Sequence, residues 1–139
     1  MKKIIEQLMQ ANKEKVLIIG DIMLDEYIFG DVERISPEAP VPIVKHSKTE
    51  WSLGGAANVA LNCRKIGFDV KLVGIAGTDD SGEILSSLLK SKSLSADNIY
   101  ISKERLTTTK KRIMSINQQL LRVDYENNFP LTSIERARL

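Results

Sequence analysis

A pair of glycines in front of a helical pattern is the first feature that could bind a ligand. Gly54 and Gly55 come directly before a run whose apolar spacing predicts a helix, and Asn58 lies one turn into that run. Because glycine lacks a Cβ, backbone N–H groups can approach a ligand closely, and a helix N-terminus favours oxygen-rich or anionic groups. The Asn58 amide could also hydrogen-bond a hydroxyl. A loop end with a surface asparagine explains the same residues, so the motif alone leaves both interpretations open.

Two carboxylates form the second candidate. Asp21 and Asp25 follow the short apolar run 15–20, which is typical of a buried strand. A carboxylate just beyond the C-terminal end of such a strand lies where α/β proteins bind ligands. Ionised aspartate accepts two hydroxyl hydrogen bonds at once, which suits a sugar diol. Aspartate is also common in turns, and we expect one of the two to serve only the turn.

The third candidate is a basic stretch, Thr107-Thr108-Thr109-Lys110-Lys111-Arg112. If it is a strand, its period of two places Lys110 and Arg112 on one face and Lys111 on the other. Two cations on one face could bind a phosphate group. The alternative is a solvated lid strand whose charges resist edge-to-edge aggregation.

The elements that must position these residues follow from hydrophobic spacing and from the glycines and prolines. Apolar runs predict strands over 15–20, 70–75 and 99–102, and helical spacing predicts helices over 2–10, after Gly54 and after Asp80. The proline-rich stretch 21–53 predicts edge strands and loops of a flap, 107–124 a hairpin, and 132–139 a capped helix. Strands that alternate with helices predict a parallel sheet with right-handed crossovers. On the helix after Gly54, the predicted buried face comprises Ala56, Val59, Ala60, Cys63 and Ile66.

Composition excludes several classes of function. The chain has 139 residues, which suits one domain, and a net charge of +2, which gives no reason to expect a nucleic-acid partner. No stretch approaches the ~20 apolar residues of a membrane span. One cysteine excludes an intrachain disulfide, and one histidine with one cysteine cannot form a zinc cluster. There is no P-loop and no dinucleotide-binding fingerprint. We expect a soluble, cytoplasmic protein without a membrane partner.

Five motifs taken in order resemble one family. They are Gly20-Asp21-Ile22-Met23-Leu24-Asp25, Arg34-Ile35-Ser36-Pro37-Glu38-Ala39-Pro40-Val41-Pro42, Gly54-Gly55-Ala56-Ala57-Asn58-Val59-Ala60, Gly77-x-Asp79-x-x-Gly82 and Asn117-Gln118-Gln119-Leu120-Leu121-Arg122-Val123-Asp124. This order resembles the heptose-7-phosphate kinases, which are ribokinase-type (PfkB-like) sugar kinases of lipopolysaccharide heptose synthesis. The di-glycine element marks the wider family, and the second and fifth motifs mark the heptose branch. The resemblance covers nearly the whole chain.

The resemblance implies a fold class and a set of binding residues. The fold is α/β, the N-terminal part of a ribokinase-like three-layer sheet-and-helix fold, with a small β lid formed by about 26–52 and 107–124. Asp25 matches the acid that holds sugar hydroxyls, and the di-glycine motif with Asn58 matches the substrate side of the site. Lys110 and Arg112 match basic residues that face the sugar phosphate, and Gln118 is expected to line the same pocket. In the family the lid closes over the sugar and pairs with a second subunit, so a homodimer is expected.

The resemblance also implies what the chain lacks. The family transfers the ATP γ-phosphoryl group with Mg²⁺, and its base is an Asp in a late Gly-Ala-Gly-Asp motif that this sequence does not contain. The C-terminal ATP-binding part is absent too, so we expect no catalytic residue in 1–139, no turnover by this chain, and ATP and Mg²⁺ only in a parent enzyme. Lys111 and Ile116 depart from the residue types that relatives often carry.

Two alternatives remain beside the kinase hypothesis. The chain could be a non-catalytic dimerisation or sugar-binding module, or it could derive from a kinase for another phosphorylated sugar. Both share the prediction that an incomplete α/β sheet exposes an apolar edge, which would promote dimerisation or aggregation.

Overall fold

The computed structural model describes residue 4 and residues 14–116 and 118–139. Within these ranges the chain forms two β-sheets and three helices. The strands are β1 (Lys15–Ile19), β2 (Ile22–Ile35), β3 (Pro42–Gly54), β4 (Asp69–Gly77), β5 (Ile99–Ser102), β6 (Thr109–Ser115) and β7 (Gln118–Tyr125); the helices are α1 (Gly55–Ile66), α2 (Asp80–Ser91) and α3 (Ser133–Arg138). The helix predicted over 2–10 lies, apart from residue 4, outside the described residues, as does Asn117 of the predicted hairpin turn.

The first sheet has three parallel strands in the order β1-β4-β5. The short apolar runs that predicted strands form it, and their backbone groups pair with a neighbouring strand. The prediction that the run 15–20 is a buried strand is wrong, because Leu17 and Ile19 of β1 are 59% and 67% exposed. The core lies between this sheet and the helices, where Ile22, Leu72, Leu85 and Leu89 are at most 2% exposed. The predicted parallel pairing is confirmed.

Helix α1 begins at the di-glycine motif and ends at Gly67, whose φ of 110° is left-handed. Its buried face is formed by Ala57 and Ala60, whose small side chains let the helix lie close to the strands. The predicted face is wrong in part, because Val59 and Ile66 are 51% and 53% exposed. At 3.6 residues per turn these two lie roughly opposite Ala57, so the alanine stripe, and not the larger side chains, faces the core.

The second sheet is the lid, and it has four strands in the order β3-β2-β6-β7. Strand β2 pairs antiparallel with β3 and parallel with β6, and β7 pairs antiparallel with β6. Edge strand β3 begins at Pro42, where a missing N–H removes no interior ladder bond, as predicted for the proline-rich flap. The four lid strands lie close to the predicted lid segments 26–52 and 107–124. Leu24 and Leu53, which pair at the end of the lid next to the first sheet (the root of the lid), are buried, so this end of the lid packs as part of the protein interior.

The Gly77-x-Asp79-x-x-Gly82 motif fastens the lid to the first sheet. Asp79 caps α2 by accepting from the Gly82 N–H, and its other carboxylate oxygen accepts from the Thr107 N–H at 2.9 Å. The Thr107 hydroxyl in turn accepts from the Gly77 N–H at 2.9 Å. Burial acts to raise the pKa of Asp79, but the hydrogen bonds from Thr107 and Gly82 outweigh it and lower the pKa. The end of β4, the start of α2 and the approach to β6 therefore meet in one hydrogen-bonded cluster.

Helix α3 is held by a buried ion pair. Its N-cap Thr132 and Glu135 form the capping box that the sequence predicted. The Glu135 carboxylate also accepts from Arg105 Nε at 2.8 Å and from the Ser102 hydroxyl at 3.0 Å. The Arg105 guanidinium, followed by the Thr132 backbone N–H, lowers the pKa of Glu135 to about 2. This pair ties the short helix to the end of β5.

Candidate sugar-phosphate site

Asp25 lies on β2 at the root of the lid and is paired with Arg112 of the neighbouring strand. Parallel pairing of β2 with β6 sets Asp25 beside Lys110 and Tyr27 beside Arg112, so all four side chains share one face of the lid. Arg112 Nη1 donates to Asp25 Oδ1 at 2.7 Å, and both side chains are less than one-fifth exposed. The predicted hydroxyl acceptor and the predicted phosphate ligand therefore neutralise each other in this structure.

Electrostatics hold Arg112 in its charged form. Partial burial acts to lower the pKa of Arg112, but the hydrogen bond to Asp25 and the charges of Asp25 and Asp124 outweigh it, so the pKa is raised. The Arg112 guanidinium carbon also lies 5.1 Å from the centre of the Tyr27 ring, within cation–π range. A guanidinium fixed at two sides presents its donors in a defined direction, which favours recognition of a planar or tetrahedral anion.

The two glycines of the motif have different structural roles. Gly54 has extended backbone, with φ −112° and ψ 172°, and a Cβ on it would lie 2.8 Å from Asp25 Oδ2. Gly55 has φ +53°, a left-handed conformation that favours glycine, and a Cβ there would collide with the carbonyl oxygen of Asp21. Gly54 therefore makes room for the Asp25 carboxylate, and Gly55 makes the turn into α1.

Asp21 lies between β1 and β2, where its backbone contacts the start of α1. Its carbonyl oxygen accepts from the Ala56 N–H at 2.9 Å, which uses one amide of the first turn of α1 within the fold. The Asp21 residue itself borders a cavity of about 220 Å³ at the carboxyl ends of β1 and β4, together with Gly20, Gly74 and Arg105. This cavity lies at the strand ends where α/β folds bind ligands.

A second ion-pair cluster adjoins Asp25 on the same face of the lid. Lys110 Nζ lies 3.2 Å from Asp124 Oδ2. The Arg122 guanidinium donates two hydrogen bonds to the same carboxylate, at 2.8 and 3.0 Å. The hydrogen bonds from Arg122, more than any other influence, lower the pKa of Asp124. Sequence reasoning named Lys110 but missed Arg122 and Asp124. The hairpin register would have found them, because period-two alternation from Lys110 and Arg112 leads across the turn to these residues.

The remaining predicted residues lie at different distances from this cluster. Asn58 is exposed on the first turn of α1, the helix that begins next to Gly54. Gln118 is exposed at the far end of the hairpin, opposite Ser115. Ser115 lies five positions after Lys110 in β6, so Gln118 lies roughly 16 Å along the lid from the Asp25 pair. The structure therefore brings Asp25, the di-glycine motif, Lys110 and Arg112 together, but not Gln118.

The opposite face of the lid carries the residues that the site does not use. Lys111 pairs with Glu26 at 3.2 Å and lies 5.6 Å from the centre of the Tyr125 ring. Trp51 is paired with Glu26 in the strand register, so it too lies on the face away from Asp25. It borders α2 beside Ile84 and Leu88, which favours packing over sugar stacking. His46 is exposed, with Nε2 2.9 Å from the Thr49 hydroxyl.

The described ranges offer neither a metal-binding cluster nor a membrane span. In residues 14–116 and 118–139, no three His, Cys, Asp or Glu side chains are grouped so that they could hold a metal ion. None of the helices that the structure describes is long and apolar enough to cross a bilayer.

Comparison with curated proteins identifies relatives over most of the chain. The profile of the pfkB family carbohydrate kinases matches residues 13–135. The bifunctional protein HldE of Actinobacillus succinogenes is 50% identical over 115 residues, which are 83% of this chain and 24% of that relative. The HldE protein of Histophilus somni is 47% identical over 130 residues, 93% of this chain and 27% of the relative. The chain therefore spans about a quarter of the length of these curated relatives.

Solved structures share the fold at low sequence identity. A carbohydrate kinase from Agrobacterium tumefaciens superposes with a TM-score of 0.65 at 21% identity, over 80% of this chain and 35% of that one. The ribokinase of Cryptococcus neoformans, solved with ADP, superposes with a TM-score of 0.61 at 22% identity, over 87% of this chain and 38% of that one. The fold is therefore that of the ribokinase-like sugar kinases, which confirms the predicted class. Since the family profile covers most of its length, the chain belongs to the pfkB family of carbohydrate kinases, as the motifs predicted.

Proposed function

We propose that this chain is the sugar-binding and lid portion of an ATP-dependent kinase that acts on heptose 7-phosphate. The observation that carries the proposal is the Asp25–Arg112 pair beside Gly54, with Lys110 on the adjacent position of the same face. A phosphorylated sugar needs an acceptor for its hydroxyls and cations for its phosphate, and the Asp25 carboxylate with the neighbouring Arg112 and Lys110 provides both. The motifs of the heptose branch and the identity with the HldE proteins support heptose as the sugar.

Binding would exchange internal ion pairs for contacts with the ligand. The sugar phosphate would take the donors of Arg112 and Lys110, and the sugar hydroxyls would donate to the released Asp25 carboxylate. Because Arg112 and Asp25 each regain a partner in the complex, neither of these two partly buried charges is left unpaired. Asn58 and the first amides of α1 would contribute further hydrogen bonds to sugar oxygens, and Gln118 would reach the pocket only if the lid changes shape.

Phosphoryl transfer would need parts of a parent enzyme. The proposed base and anion-stabilising amides belong to the Gly-Ala-Gly-Asp motif, which this sequence does not contain. No three His, Cys, Asp or Glu side chains among the described residues are grouped for a metal ion, and we propose that other parts of the parent enzyme would hold ATP and Mg²⁺. The proposal therefore assigns this chain acceptor binding without turnover, and it includes a cytoplasmic location, which a single cysteine fits.

Isothermal calorimetry with heptose 7-phosphate tests the proposal. We expect binding by the 139-residue chain, loss of binding in Asp25→Asn, and unchanged binding in Asp31→Asn, an exposed acid on the same strand. Neutral heptose should bind more weakly, because it cannot satisfy Arg112. Equal binding by Asp25→Asn and the parent chain would contradict the sugar site. ATP-dependent phosphorylation by the purified chain would contradict the predicted lack of turnover, and a panel of other sugar phosphates tests the choice of heptose.

A non-catalytic dimerisation module is the second candidate. The lid face opposite Asp25 exposes Trp51, Leu121 and Tyr125, which are 43%, 55% and 46% accessible. Exposed apolar residues that share one face of a sheet are typical of a protein interface. We propose that this face mediates a homodimer, as the family resemblance implies. Sedimentation velocity should show a dimer that Leu121→Arg dissociates, and a monomeric parent chain would contradict it.

A further inference from the structure

Two arginines stand directly opposite each other on neighbouring strands of the lid. Antiparallel pairing of β6 with β7 sets Arg112 against Arg122, on the face that carries Asp25. Like charges in directly opposed positions destabilise a sheet, since their Cβ atoms are only ~5 Å apart. Such a pair needs an anion nearby, and the structure supplies two, Asp25 for Arg112 and Asp124 for Arg122.

The way in which Arg122 is neutralised resembles the way in which arginine binds a phosphate. Arg122 Nε and Nη2 contact separate oxygens of Asp124 at 2.8 and 3.0 Å, a bidentate fork. Lys110 contacts the second of those oxygens at 3.2 Å. Arg122 is also open to an incoming ligand, with 49% of its side chain exposed, compared with 18% for Arg112. Three cations face two carboxylates in this cluster, so it retains positive charge.

We propose that Arg122 is a further phosphate-binding residue, which with Arg112 forms a two-arginine clamp for a phosphomonoester, and that Asp124 is the internal counter-ion which the phosphate displaces. This inference rests on the proposed function, because that function supplies the phosphorylated sugar. It adds a residue, a counter-ion and an order of events: the phosphate first competes with Asp124 for Arg122, and Arg112 then releases Asp25 to the sugar hydroxyls. The clamp would select phosphorylated over neutral sugars.

Titration of the 139-residue chain with inorganic phosphate and with heptose 7-phosphate tests this inference. Binding is followed by amide NMR shifts at constant ionic strength, with chloride as the competing anion. Arg122→Gln should weaken both ligands on the order of tenfold, because it removes a charge-assisted bidentate contact. Arg122→Lys should restore only part of the affinity, since lysine keeps the charge without the fork. Asp124→Asn should strengthen inorganic phosphate binding several-fold, because the internal competitor is gone. Arg34→Gln, an exposed arginine on β2, is the matched control.

The outcomes separate this inference from the proposed function. If Arg122→Gln binds both ligands as the parent chain does, while Asp25→Asn loses heptose 7-phosphate, the clamp is refuted and the sugar site stands. If Arg122→Gln loses both ligands while Asp25→Asn keeps the sugar phosphate, the clamp stands and the sugar assignment fails. Weaker phosphate binding by Asp124→Asn would refute the role of Asp124 as a displaced counter-ion. If the folded parent chain binds neither ligand, both proposals are overturned.

Discussion

Alanine substitution at the two adjacent glycines should separate folding from binding. At Gly55 an alanine must adopt φ +53°, which costs ~1–2 kcal/mol for an L-residue. Its Cβ would also meet the Asp21 carbonyl oxygen and lie 2.8 Å from Met23 Cγ, and relieving such overpacking costs about 1–3 kcal/mol more. Gly55→Ala should therefore lower stability by roughly 2–5 kcal/mol, which is a fall in Tm of roughly 6–20 °C for a chain of this size.

Gly54→Ala should leave stability nearly unchanged, because the backbone there is already extended and alanine fits it. The atoms that its Cβ meets belong to the Asp25 side chain, the nearest at 2.8 Å. That carboxylate must retreat by about 0.6 Å to reach ordinary van der Waals contact, which pulls it from its 2.7 Å contact with Arg112. The stability change should stay within about 1 kcal/mol, since alanine regains part of the entropy that glycine loses in a strand.

Urea unfolding followed by circular dichroism, with calorimetry of heptose 7-phosphate binding, measures both effects. We expect Gly55→Ala to lose stability with an unchanged m-value, and Gly54→Ala to keep stability and lose affinity on the order of tenfold, or ~1.4 kcal/mol. Gly20→Ala is a control, since its Cβ would meet only the Ala56 Cβ, at 3.4 Å. Equal destabilisation by Gly54→Ala and Gly55→Ala would refute the division of roles, and full affinity in Gly54→Ala would refute the role of Gly54 beside Asp25.

Three further substitutions, at Thr107, Glu135 and Ile116, test interactions that set the stability of the fold. Thr107→Val removes the hydroxyl that accepts from the buried Gly77 N–H, so urea unfolding should show a loss of about 1–3 kcal/mol; an unchanged midpoint would contradict that role. The pKa of Glu135 lies at about 2, below its ordinary 4.5, so its pairing with Arg105 stabilises the fold above pH 4.5 and is lost as the pH falls toward 2. Thermal unfolding across that range should show a smaller pH slope in Glu135→Gln, and equal slopes would speak against the pair. Ile116 is β-branched at φ +54°, so Ile116→Gly should raise stability by ~0.5–1.5 kcal/mol, which a lower Tm would disprove.

Local sequence patterns predicted most helices and strands, because apolar spacing and capping residues act on the backbone within a few positions. Strand 99–102 and the capped helix at Thr132 form as predicted, since apolar runs and capping boxes act within a few residues. The buried stripe of α1 was wrong at Val59 and Ile66 because periodicity reports which residues are apolar, whereas the fold selected the smallest ones for close approach to the strands. The flap 21–53 was predicted as edge strands and loops, but β2 is an interior strand that pairs with both β3 and β6, and no local pattern shows its pairing with the distant hairpin.

The sequence was enough to name most residues of the candidate site, but it did not show which of them form ion pairs with each other. Asp25, Lys110 and Arg112 could be named from residue type and alternation, because a strand has only two faces. Their partners depend on the parallel register of β2 with β6, which joins residues 87 positions apart and leaves no local signature. That register sets Asp25 beside Lys110 and diagonally across from Arg112, close enough for the 2.7 Å contact by which the two charges neutralise each other. The same argument explains why Arg122 was missed, since its importance comes from the residue across the hairpin.

Edge strand β1 of the first sheet should promote self-association of the chain. Among the described strands β1 pairs only with β4, and it exposes Leu17 and Ile19 at 59% and 67%. An unpaired edge with exposed apolar side chains recruits a second chain, whereas lysine on an edge opposes pairing. Light scattering should therefore show a mass that rises with concentration beyond a dimer, and the double variant Leu17→Lys, Ile19→Lys should abolish that rise. Leu121→Arg, on the lid, should leave the rise in place, since it alters a different surface. A parent chain that stays a monodisperse monomer or dimer across the concentration range would show that this edge does not drive assembly.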